Sequence, residues 1–110
     1  MRSITAVQHD TPPAYPLADR DRDGWYSDQD YETRGGFILD MPPGEFLDRV
    51  RPLVIDEVSR DNIDDLKAHI VAGRPLDPLR LRRDGTEDGR HRAHACVELG
   101  IPSVPVLHLP

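Results

Sequence analysis

Proline limits this chain more than any other residue: eleven of its 110 residues are proline, scattered from Pro12 to Pro110. Each holds φ at about −65° and removes a backbone donor, so helices and central strands stop or restart around it. The chain must therefore be short elements joined by loops. At this length it is one small domain with a real but modest core. No apolar run approaches the roughly 18 residues that a membrane helix needs. The single Cys96 excludes an internal disulfide framework and a cysteine-based zinc site.

Charge narrows the partners. Lys plus Arg is 14 and Asp plus Glu is 20, a net charge of −6. Duplex nucleic acid is gripped mainly by a concentrated positive face, so general DNA binding is disfavoured. The segment Met1-Arg2-Ser3-Ile4-Thr5 has no apolar core of the secretion-signal kind, and the expected compartment is the cytoplasm.

Residues 1–34 read as a loop-rich acidic arm, with its first 10 to 15 residues expected to be disordered. It carries Asp10, Asp19, Asp21, Asp23, Asp28, Asp30 and Glu32, few aliphatic residues, and Trp25, Tyr26 and Tyr31 as docking side chains. Such an arm suits a basic protein partner. Within it, Asp19-Arg20-Asp21-Arg22-Asp23-Gly24 through Asp30 follows the calcium-loop spacing, with acids at positions one, three, five and twelve and glycine at six. The prolines before it and Gly35-Gly36 after it leave little room for flanking helices. Ca2+ in this loop therefore stands against a plain solvated acidic loop.

Residues 35–110 read as the compact domain. Phe37-Ile38-Leu39 is a candidate strand, and Pro42-Pro43 opens a helix whose buried stripe is Phe46, Leu47 and Val50. Leu53-Val54-Ile55 is a strand or a buried linker, which periodicity does not decide. A second helix is expected with Asp61 as N-cap, Ile63, Leu66 and Ile70 on one face, and Gly73 beyond its end. Leu79-Arg80-Leu81-Arg82 alternates like a half-exposed strand, and Asp84-Gly85 turns after it. A last helix spans about Arg90 to Leu99 and stops at Gly100. Val104-Pro105-Val106-Leu107-His108-Leu109 closes the fold as a strand, which Pro105 should place near an edge or leave with one ladder position unpaired.

The segment Glu87-Asp88-Gly89-Arg90-His91-Arg92 carries the chemistry. It enters a helix, whose first turn leaves backbone N–H groups unpaired and whose dipole favours an anion. Gly89 admits a ligand close to the backbone. Arg90 and Arg92 bring guanidinium forks that match phosphate. Two arginines at a positive helix end disfavour the helix until an anion relieves them. Asp88 and Glu87 suit a divalent cation or a general base. The bland alternative is a capped helix with both arginines paired to surface acids. His91, His94 and Glu98 share a helix side at metal-ligand spacing but read as surface positions, and Cys96 reads as core.

The run from Asp88 to Val106 resembles the signature segment of the ParB/sulfiredoxin-like superfamily, a Gly-x-(His/Arg)-Arg turn into an alanine-rich helix, then a loop and a Val-Pro-Val strand. Ile63–Ile70 resembles the preceding helix, and Gly73-Arg74-Pro75-Leu76-Asp77-Pro78 the loop into the next strand, so the resemblance covers about residues 53–108. Residues 36–53 are similar to segments of phage-type ParB-like proteins. The resemblance implies an α+β fold, a short mixed sheet packed with about three helices, binding a nucleotide such as CTP or ATP with Mg2+. It assigns Gly89, His91 and Arg92 to the phosphate turn, and Gly73 and Pro78 to the ends of a second phosphate-facing loop, in which Asp77 stands where the family usually has glutamine and which is one residue longer. Arg90 stands where sulfiredoxins have their reactive cysteine, so that reductase activity is not supported. Partitioning proteins usually carry an acid there, and their downstream helix-turn-helix region has no counterpart among these 110 residues. The first expectation is a nucleotide phosphate-binding domain, in which phosphoryl transfer or hydrolysis would use Asp88, Glu87 and His91. The second is a non-enzymatic interaction or inhibitory module of phage or mobile-element type that keeps the fold and uses the acidic arm.

Overall fold

The computed structural model describes residues 11–18, 36–85 and 87–110. The elements run β1 (Phe37–Met41), α1 (Pro43–Arg49), α2 (Glu57–Val71), β2 (Leu79–Arg82), β3 (Glu87–Asp88), α3 (Arg90–Leu99) and β4 (Val104–Leu109). The strands form one mixed sheet in the order β1-β4-β2-β3. β1 pairs antiparallel with β4, Phe37 opposite His108 and Met41 opposite Val104. β4 pairs parallel with β2, and β2 antiparallel with β3. Three helices with this sheet make the α+β domain that the periodicity and the resemblance both imply.

Local sequence explains most boundaries. Pro43 occupies the first turn of α1, where its missing N–H costs nothing. Phe46 and Val50 then enter the core, which also takes Ile63 and Ile70 from α2, Leu79 and Leu81 from β2, Ala93 and Cys96 from α3, and Val104 and Val106 from β4. Gly100 ends α3 in the left-handed region, and its N–H bonds the Val97 carbonyl at 3.1 Å.

Two expectations are corrected and a third is narrowed. The second helix starts at Glu57, and its N-cap is Asp56, whose Oδ1 accepts from the Ser59 N–H at 2.8 Å; Asp61 lies inside the helix. Asp56 and Ser59 form a cap at the spacing that Asp61 and Asp64 offered equally well. Leu53-Val54-Ile55 is neither strand nor buried linker, since Val54 is 79% exposed and Ile55 44%. β4 is a central strand, so of the two outcomes expected of Pro105 the edge position is not taken and the unpaired ladder position is. Pro105 is accommodated because the register with β2 begins one residue later, at Val106.

Part of the N-terminal segment packs on this domain. Leu17 forms a parallel bridge with Leu76, Ala18 N–H donates to the Leu76 carbonyl at 2.8 Å, and Leu76 N–H donates to the Pro16 carbonyl at 2.8 Å. Ala18 is buried and Tyr15 packs on the core. The side chains expected to dock the arm, Trp25, Tyr26 and Tyr31, lie outside the described residues, as do Asp10 and the candidate calcium loop 19–30. Among the described residues no helix is long and apolar enough to cross a membrane.

An ion-pair cluster ties α2 to α3. Arg60 reaches both oxygens of Glu98, at 2.6 and 2.8 Å, and Asp64 at 2.8 Å, while Lys67 reaches Glu98 at 3.2 Å. The hydrogen bonds from Arg60, with Lys67 adding, pull the Glu98 carboxyl from 4.5 down to about 2 against a small opposing burial effect. The folded carboxylate resists protonation more than the unfolded one, so its contribution is complete above 4.5 and is lost as pH falls towards 2. The urea midpoint is expected to drop across that window, and Glu98→Gln to flatten that limb of the profile. An unchanged slope in the variant would remove Glu98 from the account.

Candidate functional site

The loop after α2 and the start of α3 meet beside Leu66 and His69 of α2. β3 brings the chain to Gly89, which turns it into α3 with φ +129°. Among the described residues no side chain caps this helix start. The Gly89 carbonyl accepts from Ala93 N–H at 2.8 Å, closing the first turn. A Cβ at position 89 would lie 2.8 Å from Leu79 Cγ, so the glycine serves both an unusual φ and close packing on β2.

Arg92 crosses from this turn to the facing loop. Its Nη1 donates to the Asp77 carbonyl at 2.7 Å, the Pro78 carbonyl at 3.3 Å and the Tyr15 hydroxyl at 3.4 Å. Its Nη2 lies 3.4 Å from the Asp88 carbonyl and 3.6 Å from Asp88 Oδ2. The Tyr15 hydroxyl also donates to the Asp77 carbonyl. Burial pushes that phenol up to about 12 despite the nearby guanidinium. With its side chain 12% exposed, Arg92 is a strut joining three segments as well as a positive wall.

A cavity of about 340 Å³ opens beside this strut, bordered by Leu66 and His69 of α2, Leu76 and Asp77 of the loop, and Asp88, Gly89, His91 and Arg92. A second hollow of about 310 Å³, lined also by Asn62 and Asp65, shares Leu66, His69 and His91 with it, so the two form one groove along α2. His91 stands between them with Nε2 3.3 Å from Ser59 Oγ. Asp77 Oδ1 is buried and has no hydrogen-bond partner among the described residues. Desolvation raises the Asp77 carboxyl above its ordinary range, with Asp88 adding while Arg92 and Arg80 oppose.

The expected site residues divide in two. Gly89, His91, Arg92, Asp77 and Asp88 border the groove. Arg90 does not: its Nη1 donates to the Arg51 and Pro52 carbonyls at 3.1 and 3.2 Å, and its Nε lies 3.4 Å from Glu87 Oε1. Glu87 lines a separate hollow with Arg51 and Asp84. Successive residues on a helix point about 100° apart, which sends Arg90 and Arg92 to different neighbours. Gly73 serves as the left-handed turn after α2, and the Pro78 ring is core. Sequence reasoning missed Tyr15, His69 and Ser59, which no local motif marked. Among the described residues no group of three His, Cys, Asp or Glu side chains is placed to hold a metal, and Glu98 is occupied by Arg60 and Lys67.

No protein-family model matches this chain, and no curated protein matches it.

Proposed function

We propose that the chain is a nucleotide phosphate-binding domain of the ParB/sulfiredoxin-like type, with the phosphates at the start of α3. The observation that carries this reading is the convergence of residues 75–77 with Asp88, Gly89, His91 and Arg92 on one groove, at a helix start that no side chain among the described residues caps. Free N–H groups and the helix dipole favour an anion there, and His91 and the edge of Arg92 add donors. Because Arg92 already serves protein carbonyls, most of the phosphate contact falls to the backbone and His91.

The Mg2+ that accompanies such a ligand fits two carboxylates of the groove. Asp88 is exposed, and Asp77 has a buried oxygen with no partner among the described residues. Magnesium commonly takes one or two protein carboxylates and completes its shell with phosphate and water. The ion would screen phosphate charge. Glu87 faces Arg90 and would take no part. Asp88 is 74% exposed, which suits a partly hydrated cation better than a buried general base.

Thermal melting with CTP, ATP, GTP and ADP, each with Mg2+, tests the reading. A ligand present at 100 times its Kd stabilises the native state by about 2.7 kcal/mol. At least one nucleotide is expected to raise Tm, and His91→Ala to remove most of that rise. A flat response to all four would overturn the proposal.

A further inference from the structure

On the far end of the sheet from this groove, the strands β2 and β4 run out side by side. A cavity of about 380 Å³ lies there, at the low end of the roughly 300–1,000 Å³ of small-molecule sites. Its walls carry three arginines, Arg49 from the end of α1, Arg82 from the last position of β2 and Arg83 from the turn beyond. No Asp or Glu side chain lines it among the described residues. In a chain with 20 acids against 14 bases, three guanidinium groups around a cavity that Gly85, Leu109 and Pro110 also border, with no Asp or Glu side chain among the described residues, are a local excess of positive side chains. Arg49 is paired on its outer side with Glu45 at 3.0 Å, while Arg82 and Arg83 make no side-chain hydrogen bond or ion pair among the described residues.

The inner wall is aromatic. Phe37 and His108 are directly paired across β1 and β4, and their rings stack with centroids 5.2 Å apart and planes 10° apart. Phe37 is 51% exposed, which leaves ring surface open to a ligand. His108 Nε2 is buried and has no hydrogen-bond partner among the described residues. Burial and the neighbouring Arg49 lower the His108 pKa, which keeps the ring neutral. A buried imidazole nitrogen and two guanidinium groups with no partner among the described residues are an incomplete hydrogen-bond set of the kind that a ligand completes.

We propose that this cavity is a second, separate binding site for a small phosphorylated compound that carries a flat ring, of nucleoside monophosphate size. Phosphate carries about −1.5 to −2 charge near pH 7 and several acceptor oxygens, which matches the guanidinium forks of Arg82 and Arg83 better than a single carboxylate does. The ring stacks on the open side of Phe37, as bases do on aromatic platforms. Neither contact uses α3 or the 75–78 loop, so this site stands or falls independently of the one at Gly89.

The test is an NMR titration of the full chain with adenosine monophosphate, beside ribose 5-phosphate and adenosine as the two halves. Adenosine monophosphate is expected to saturate below about 1 mM and each half to bind about tenfold more weakly. The moving signals are expected to be the Phe37 and His108 rings and the Arg82 and Arg83 Nε groups. Arg82→Gln combined with Arg83→Gln is expected to weaken binding at least about tenfold, and Phe37→Leu to weaken adenosine monophosphate while leaving ribose 5-phosphate unchanged. Shifts confined to Gly89 and His91 would overturn this site while supporting the other. No saturable shift anywhere, or equal binding by the double variant, would overturn it outright.

Discussion

Replacing Arg92 by methionine is expected to lower the unfolding free energy by about 2–4 kcal/mol, the range for stranding partly buried polar groups. Methionine keeps much of the apolar stem but no donor. The Asp77 and Pro78 carbonyls, met by Nη1 at 2.7 and 3.3 Å, would lose their guanidinium partner in a place where water reaches them poorly. The Tyr15 hydroxyl would keep its bond to Asp77 but lose the charge beside it. Lysine in place of Arg92 is expected to restore only part of the stability, because a single ammonium does not span the same acceptors. Urea unfolding of the three proteins measures this. A loss below about 1 kcal/mol would show that Arg92 is a replaceable surface cation after all. The same geometry makes His91 the cleaner probe of phosphate binding, since a weakened Arg92 variant would confuse folding with affinity.

Gly89→Ala is expected to cost about 3 kcal/mol, by two additive routes. A side chain at φ +129° sits in backbone space that L residues rarely use. Its Cβ would also meet Leu79 Cγ at 2.8 Å, and Leu79 is fully buried and cannot step aside without moving the core. Gly85 supplies the control. Its φ is +89°, but a methyl group there would find no atom within 4 Å, so Gly85→Ala is expected to cost about 1 kcal/mol from conformation alone. Equal losses at the two positions would remove steric contact with β2 as the cause. Both variants are read by chemical denaturation, with m-values compared to check that the unfolded states match.

Much of the fold was readable because punctuation and periodicity agreed. Pro43 at the start of α1, Gly73 after α2, Gly100 after α3 and the alternation Leu79-Arg80-Leu81-Arg82 each carry a local physical signal, and each element stands where that signal puts it. The failures share a cause as well. Asp56 and Asp61 are equally good caps by residue type, and the one used is followed three residues on by Ser59, whose hydroxyl meets His91 from a distant part of the chain. Pro105 argues for an edge strand only until the register with β2 is known, and register is a long-range quantity.

The candidate site was half legible. The glycine turn, His91 and Asp77 do come together, because a helix start and a loop can be recognised one at a time. The fates of Arg90 and Arg92 could not be read that way. One is taken up by the carbonyls of residues 51 and 52, the other by those of 77 and 78, and backbone acceptors leave no mark in a sequence. The partner role of Tyr15 was hidden for a similar reason, since its contact with Asp77 joins positions far apart in the chain.

The central place of β4 bears on how the molecule assembles. Its residues 104–109 separate β1 from β2, so neither outer part of the sheet has its neighbour until that stretch arrives. On a ribosome the earlier helices and strands would wait, with apolar surface uncovered, for a segment translated after them. Such late, long-range closure is slow and exposes the nascent chain to association.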